Sequence, residues 1–229
     1  MFKVAPHEAI DGYKTGHHDS YPKGLELLYS NMTPRSLKHL KVSKGHDGKV
    51  VVLGLQGFIQ DYLIDDWNEN FFEKDADDVI QPYQDLMDGY LGVGAVTPKH
   101  LYDLHELGYL PLLIKAMPEG SRIPAKIPFF TVRNTVPGTE AKFGWLVNYL
   151  ETILSFENWA TPTVATIAYE YRRLMTKYAL LTGTSLDFVP VQGHDFSMRG
   201  VTDYKRGIGH LASFIGTDVI PAIRYVQKY

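Results

Sequence analysis

Cysteine is absent from the 229 residues, which excludes a disulfide framework and a thiolate zinc site. Long apolar runs are missing too: charges or prolines break each one well before the roughly 20 residues that span a bilayer. The charge imbalance is small, −3 with a pI near 6.3, so a nucleic-acid-binding surface is not expected as the main business of the chain. The first residues lack the basic-then-apolar pattern of a secretory leader, and a cytoplasmic location without a membrane partner is the expectation. Internal repeats and low-complexity tracts are also lacking. What is present is a 45% hydrophobic composition, enough to bury a sizeable core in one large domain or two modest ones.

Residues 1–24 are rich in Asp, Gly, His, Tyr and Lys and have little apolar periodicity, which predicts a mostly irregular arm. His17, His18 and Asp19 lie in that arm. Adjacent histidines do not share a helix face and no further ligand stands at a recognisable spacing, so a solvated or interface segment is expected and no metal site. Leu25 to Asn31 alternates like a strand. Arg35, Lys38, Lys41, Lys44 and Lys49 then gather around Gly45 and Gly48, a composition that suits either phosphate oxygens or a solvated loop. Val50 to Leu53 reads as a buried strand that leads into a helix over 56–64. Thr97-Pro98 opens a second helix, with Thr97 as N-cap, and Gly108 ends it. Strands follow over 110–117 and 129–132, pairing antiparallel across a longish connection. Two long helices come next, over 140–156 and 162–181, the latter closed by Gly183. Their large residues Trp145, Tyr149, Ile153, Tyr169, Tyr171, Leu174 and Tyr178 are expected mostly to line buried or interface faces. Arg172 and Arg173 suit a solvated helix face or an anion.

From Asp187 the pattern changes to strand, helix, strand, helix. Val189-Pro190-Val191 and Phe214-Ile215 read as short strands separated by about one crossover helix, the outline of a βαβ unit. Parallel strands bring their carboxyl ends to one face, which would gather Asp195, Phe196, Arg199 and Asp218. An aromatic ring, two carboxylates and a guanidinium suit a small, flat, polar molecule with an anionic partner. Structural roles are open for the same residues: Asp218 as a helix cap, Phe196 in a core, His194 orienting a neighbour, Arg199 paired with Asp195. The expected fold is an α+β amino-terminal domain over 1–183 with antiparallel strands and long helices, followed over 184–229 by the first βα units of an incomplete parallel α/β barrel.

Several separate stretches, in order, resemble the amino-terminal half of the nicotinamide phosphoribosyltransferase family. They are Asp11-Gly12-Tyr13-Lys14, Tyr29 to Arg35, Gly54-Leu55-Gln56 and Leu110 to Gly120, then Glu151-Thr152-Ile153-Leu154 and Thr163-Val164-Ala165-Thr166, then His194-Asp195-Phe196 with Arg199-Gly200, and Gly216-Thr217-Asp218. The resemblance implies a type II phosphoribosyltransferase-like fold. It also implies an enzyme that joins nicotinamide to phosphoribosyl pyrophosphate with Mg2+, and with ATP as an additional cofactor candidate, giving nicotinamide mononucleotide and pyrophosphate in NAD salvage. Phe196 would stack on one face of the pyridine ring and Tyr13 of a homodimer partner on the other. Arg199 would lie beside the ring, Asp218 would accept from the carboxamide, and Arg35 would contact phosphate. Asp11, His194 and Asp195 would support these groups, and no catalytic residue is assigned within this chain. Gly12 departs from the family, which usually has Ser there. The family's chains are about twice as long, so a complementing carboxy-terminal portion is expected to supply the ribose-phosphate side. Two alternatives are a non-catalytic dimerisation or regulatory module, and a nicotinate phosphoribosyltransferase.

Overall fold

The computed structural model describes residues 4–40, 45–135, 143–201, 203–216 and 219–229. In chain order the strands are β1 (Tyr29–Met32), β2 (Lys49–Val51), β3 (Leu112–Ala116), β4 (Arg122–Pro124) and β5 (Phe130–Asn134). The helices are α1 (Leu55–Phe58), α2 (Ala76–Leu91), α3 (Lys99–Leu107), α4 (Trp145–Tyr149), α5 (Glu151–Asn158), α6 (Ala160–Thr182), α7 (Val189–Gln192), α8 (Ile208–Leu211) and α9 (Ile220–Lys228). The chain divides into two units that interleave along the sequence: one from 1–31, 58–115 and 130–155, the other from 32–57, 116–129 and 156–229. Among the described residues no helix is long and apolar enough to cross a membrane.

In the first unit, β1, β5 and β3 form a sheet in that order. The Thr135 N–H donates to Pro111 C=O (2.8 Å) and Thr131 Oγ1 to Lys115 C=O (3.5 Å), the antiparallel register expected for this pair. Asn134 ends β5 with its side chain buried. Its amide accepts from the Leu28 N–H at 2.8 Å and donates to the Glu26 carbonyl at 2.9 Å. The segment before β1 is therefore held by one asparagine rather than by a ladder, which is why the alternation over 25–31 becomes strand only from Tyr29. Trp67, Phe71, Ile80, Tyr83, Leu101 and Leu104 are fully buried. Trp67 and Phe71 meet edge to face at 5.0 Å, and so do Trp145 and Tyr149. α2 is absent from the sequence reading: Pro82 inside it breaks the expected pattern, whereas Asp75 caps it by accepting from the Asp77 N–H at 3.0 Å. Thr97 is not the cap of α3. Pro98 takes the cap position, and Gly108 in the left-handed region ends the helix as read.

In the second unit, β2 and β4 pair antiparallel, Val50 opposite Ile123, so the long connection between β3 and β5 holds a strand that periodicity alone does not show. The 23-residue α6 organises the rest. Thr166 donates its hydroxyl hydrogen to Pro162 C=O (2.7 Å) and accepts from the Val51 N–H (2.9 Å), both in buried surroundings. α8 lies against α6 through Gly209, where a Cβ would stand 2.7 Å from Ala165 N and 2.8 Å from Thr161 O. Ile208, Val219, Ala222 and Tyr225 form a cluster against Leu53 and Leu211. Buried Glu170 lies between Arg173 (2.8 Å) and Arg122 (3.8 Å), while Arg172 donates to Ser213 C=O at 2.8 Å. Neither helix arginine is thus simply a solvated charge.

The two runs read as strands in 184–229 are not strands. Val189-Pro190 opens the short helix α7, immediately after a 3-10 turn (Leu186–Phe188) whose Ser185 cap accepts from the Asp187 N–H. Pro190 lacks the N–H a ladder needs and has the backbone angle of a first helical turn. Phe214-Ile215 is irregular, tied by the Ile215 N–H to Pro190 C=O at 2.9 Å. The barrel expectation therefore has no strand to support it among the described residues of this region. Asp218, read as a cap for the last helix, lies outside the described residues.

Candidate functional site

His194, Asp195, Phe196 and Arg199 come together on one loop that leaves α7 at Gly193. Asp195 Oδ1 accepts from the Ser197 N–H at 2.9 Å and so turns the chain into a 3-10 segment, Ser197–Gly200. Its second oxygen, Oδ2, is buried and has no hydrogen-bond partner among the described residues. Phe196 is 72% exposed, with its ring 6.2 Å from that of His194 and 24° from parallel. Arg199, also exposed, follows one turn later on the same segment. The loop thus offers an open aromatic face with a guanidinium three residues on, which suits a flat ring linked to an anion.

His194 Nε2 lies 3.1 Å from Val191 C=O, which makes that nitrogen the donor. His194 also lines a cleft of about 430 Å3 with Val164, Ile167, Tyr171, Met175 and Phe214. Arg35 lines a different cleft in the same unit, of about 560 Å3, with Met32, Leu37, Phe129, Trp159 and Pro162. The two clefts share Ile167 of α6. Lys41 and Lys44 of the basic cluster lie outside the described residues, as does Asp218.

Asp11 and Tyr13 belong to the other unit. Tyr13 is 63% exposed and meets His17 edge to face at 5.2 Å. The arm that carries it is fastened: Thr152 Oγ1 donates to Asp11 Oδ2 at 2.7 Å and accepts from the Asp11 N–H at 3.3 Å, and buried Lys14 pairs with Glu151. His18, read as part of a solvated or interface segment, is half-buried and lies flat on His100 at 3.9 Å. Burial, then the charge of His18, lowers the His100 pKa to about 3, and burial lowers that of His7 to about 4.

The stretches singled out in the sequence meet in pairs. Asp11 to Lys14 is held by Glu151 and Thr152. The Glu119 carboxylate accepts from the Gly54 and Gln56 N–H groups at 2.8 and 2.9 Å and so caps α1. Thr166 closes on Val51. Sequence reasoning missed one residue of this kind near the candidate site, His210, whose Nε2 lies 3.1 Å from Gly193 C=O and 2.9 Å from Gly216 C=O.

No family model matches the chain. A nicotinamide phosphoribosyltransferase of Acinetobacter baylyi is 51% identical over 232 residues, covering 100% of this chain and 45% of that protein. Proteins of the same name from Mycoplasma genitalium and Xanthomonas campestris are each 27% identical, covering 93% and 96% of this chain and 48% and 43% of theirs. Among solved structures, human nicotinic acid phosphoribosyltransferase superposes with a TM-score of 0.56 at 16% identity, over 90% of this chain and 35% of that one, which speaks for the fold. Over its whole length the chain is thus similar to proteins named nicotinamide phosphoribosyltransferase, of whose length it spans about half, consistent with their amino-terminal half.

Proposed function

We propose that this chain supplies the base-recognition part of an enzyme that joins nicotinamide to phosphoribosyl pyrophosphate, releasing pyrophosphate and giving nicotinamide mononucleotide for NAD salvage. The observation that carries this reading is the 51% identity along the whole chain to a protein named for that reaction. The open face of Phe196 beside Arg199 supports it. Phe196 takes one face of the pyridine ring by offset stacking, worth about 0.5–1.5 kcal/mol beyond its area. Tyr13 of a second copy takes the other face. Arg199 lies along the ring's phosphoribosyl neighbour and Arg35 contacts phosphate. Asp218 is acceptor-only when ionised, so it welcomes the carboxamide NH2 and repels a carboxylate, which favours nicotinamide over nicotinate. Among the described residues no three His, Cys, Asp or Glu side chains group to hold a metal. Mg2+ enters with phosphoribosyl pyrophosphate as its counter-ion.

The test supplies this chain with the remaining portion of the Acinetobacter baylyi relative by co-expression and assays the purified pair for nicotinamide mononucleotide. Product is expected from nicotinamide and not from either portion alone. Asp218→Asn is expected to narrow the nicotinamide-to-nicotinate ratio. A soluble pair that forms no product overturns the reading in favour of a non-catalytic dimerisation or regulatory module. A pair that prefers nicotinate overturns the role of Asp218.

A further inference from the structure

Two segments distant from each other in the loop meet at one nitrogen atom. His210 Nε2 lies within hydrogen-bond distance of both Gly193 C=O (3.1 Å) and Gly216 C=O (2.9 Å). Carbonyl oxygens only accept, so this nitrogen carries the hydrogen and shares it between the two. The ring is not free to turn away: Phe214 lies on it at 4.9 Å and 19°, and the Ser213 and Phe214 N–H groups both return to the His210 carbonyl at 3.0 Å. Glycines stand at both bridged positions for a steric reason. A Cβ on Gly193 would lie 2.6 Å from the Phe214 ring, and one on Gly216 would lie 2.9 Å from Gly193 O and 3.0 Å from the His194 ring. Removing either Cβ lets the segments approach until one imidazole spans them.

We propose that His210 is a positioning residue: by donating one N–H to both Gly193 and Gly216 it sets the separation of the loop that carries His194, Phe196 and Arg199 from the segment 214–216. His210 touches no substrate in this proposal. It acts through the two carbonyls, fixing where the loop leaves α7 and hence where the Phe196 ring is presented. The link to nicotinamide rests on the function proposed above, whereas the link between the two segments does not.

Three substitutions in the full 229-residue chain separate these points. His210→Phe keeps the ring on Phe214 and deletes the donor. His210→Gln places an amide nitrogen near the position of Nε2, and His210→Asn offers the same group one carbon too short. Amide hydrogen exchange followed by mass spectrometry is expected to quicken roughly tenfold over 191–200 and 212–216 in the Phe and Asn variants, with α6 unchanged. The Gln variant should stay at the parent rate. Parent-like exchange in the Phe variant, or equal exchange in the Gln and Asn variants, overturns the proposal. If the Phe variant loses protection throughout, the comparison of Gln with Asn decides in the same way. Nicotinamide titration is run on the same proteins. The dissociation constant is expected to rise roughly tenfold in the Phe and Asn variants and to recover with Gln. A parent chain that does not bind nicotinamide fails the proposed function and leaves the exchange result standing. A quickened exchange with an unchanged dissociation constant overturns the positioning role itself.

Discussion

A single methyl group added at Gly209 is expected to destabilise the second unit. In Gly209→Ala the new carbon would stand 2.7 Å from Ala165 N and 2.8 Å from Thr161 O, with Val164 Cβ at 3.0 Å. Ordinary carbon contacts are nearer 3.5–4.0 Å, so α8 must retreat from α6 by several tenths of an ångström. The obstacle is backbone, and no side chain can swing aside to relieve it. Overpacking of this sort costs about 1–3 kcal/mol, and the better helix propensity of alanine returns at most about 1 kcal/mol. A net loss of about 1–2 kcal/mol lowers Tm by roughly 2–8 °C in a chain of this size. Gly89→Ala is the matched control, because its Cβ would meet nothing within 4 Å in the last turn of α2. There the same change should stabilise by about 0.5–1 kcal/mol. Differential scanning calorimetry of the two variants beside the parent measures both signs. A Gly209→Ala melting temperature at or above that of the parent would refute the argument that α8 and α6 meet backbone to backbone.

Stability should fall with acidity before the carboxylates titrate. His7 and His100 are buried neutral, with pKa values held at about 4 and about 3 against about 6.5 in the unfolded chain. The unfolded state then binds the extra protons, so the contribution is complete above pH 6.5 and is lost as pH falls towards 4, by on the order of a few kcal/mol. Urea melts at pH 7.0, 5.5 and 4.5 should show this, with a smaller slope in His100→Phe; a flat profile would sink the assignment. Phe196→Ala should leave the melting temperature unchanged, since the ring is 72% exposed, while raising the nicotinamide dissociation constant roughly 2- to 10-fold. An unchanged titration curve would remove Phe196 from the ring-binding role.

Much of the fold was legible where the signal is local. α6 and its closure at Gly183, α3 and its closure at Gly108, and the β3–β5 pair all follow from periodicity and from glycine at left-handed positions. The misreadings share a cause. Val189-Pro190-Val191 has strand-forming valines, yet the proline and the Ser185 cap before it decide the local geometry. α2 was hidden by Pro82, and β4 is strand only because β2 pairs with it. For the candidate site, the His194–Arg199 loop could be read because its residues are neighbours in sequence. The fastening of Asp11 to Thr152 spans 141 positions, and His210 bridges carbonyls 17 and 6 residues away. Nothing about a histidine's own surroundings in sequence announces such partners.

The interleaving of the two units has a consequence for synthesis on the ribosome. The first unit takes 1–31, 58–115 and 130–155, and the second takes 32–57, 116–129 and 156–229. At roughly 5–20 residues per second, the early segment of the second unit, including β2, waits roughly 6–23 seconds for the Thr166 hydroxyl of α6, 115 residues on. During that interval the Val51 N–H has no intramolecular acceptor of its own and the valines of β2 are uncovered. This is the window in which a nascent chain is most exposed to holding chaperones and to mispairing. No single cut in the chain would release either unit whole.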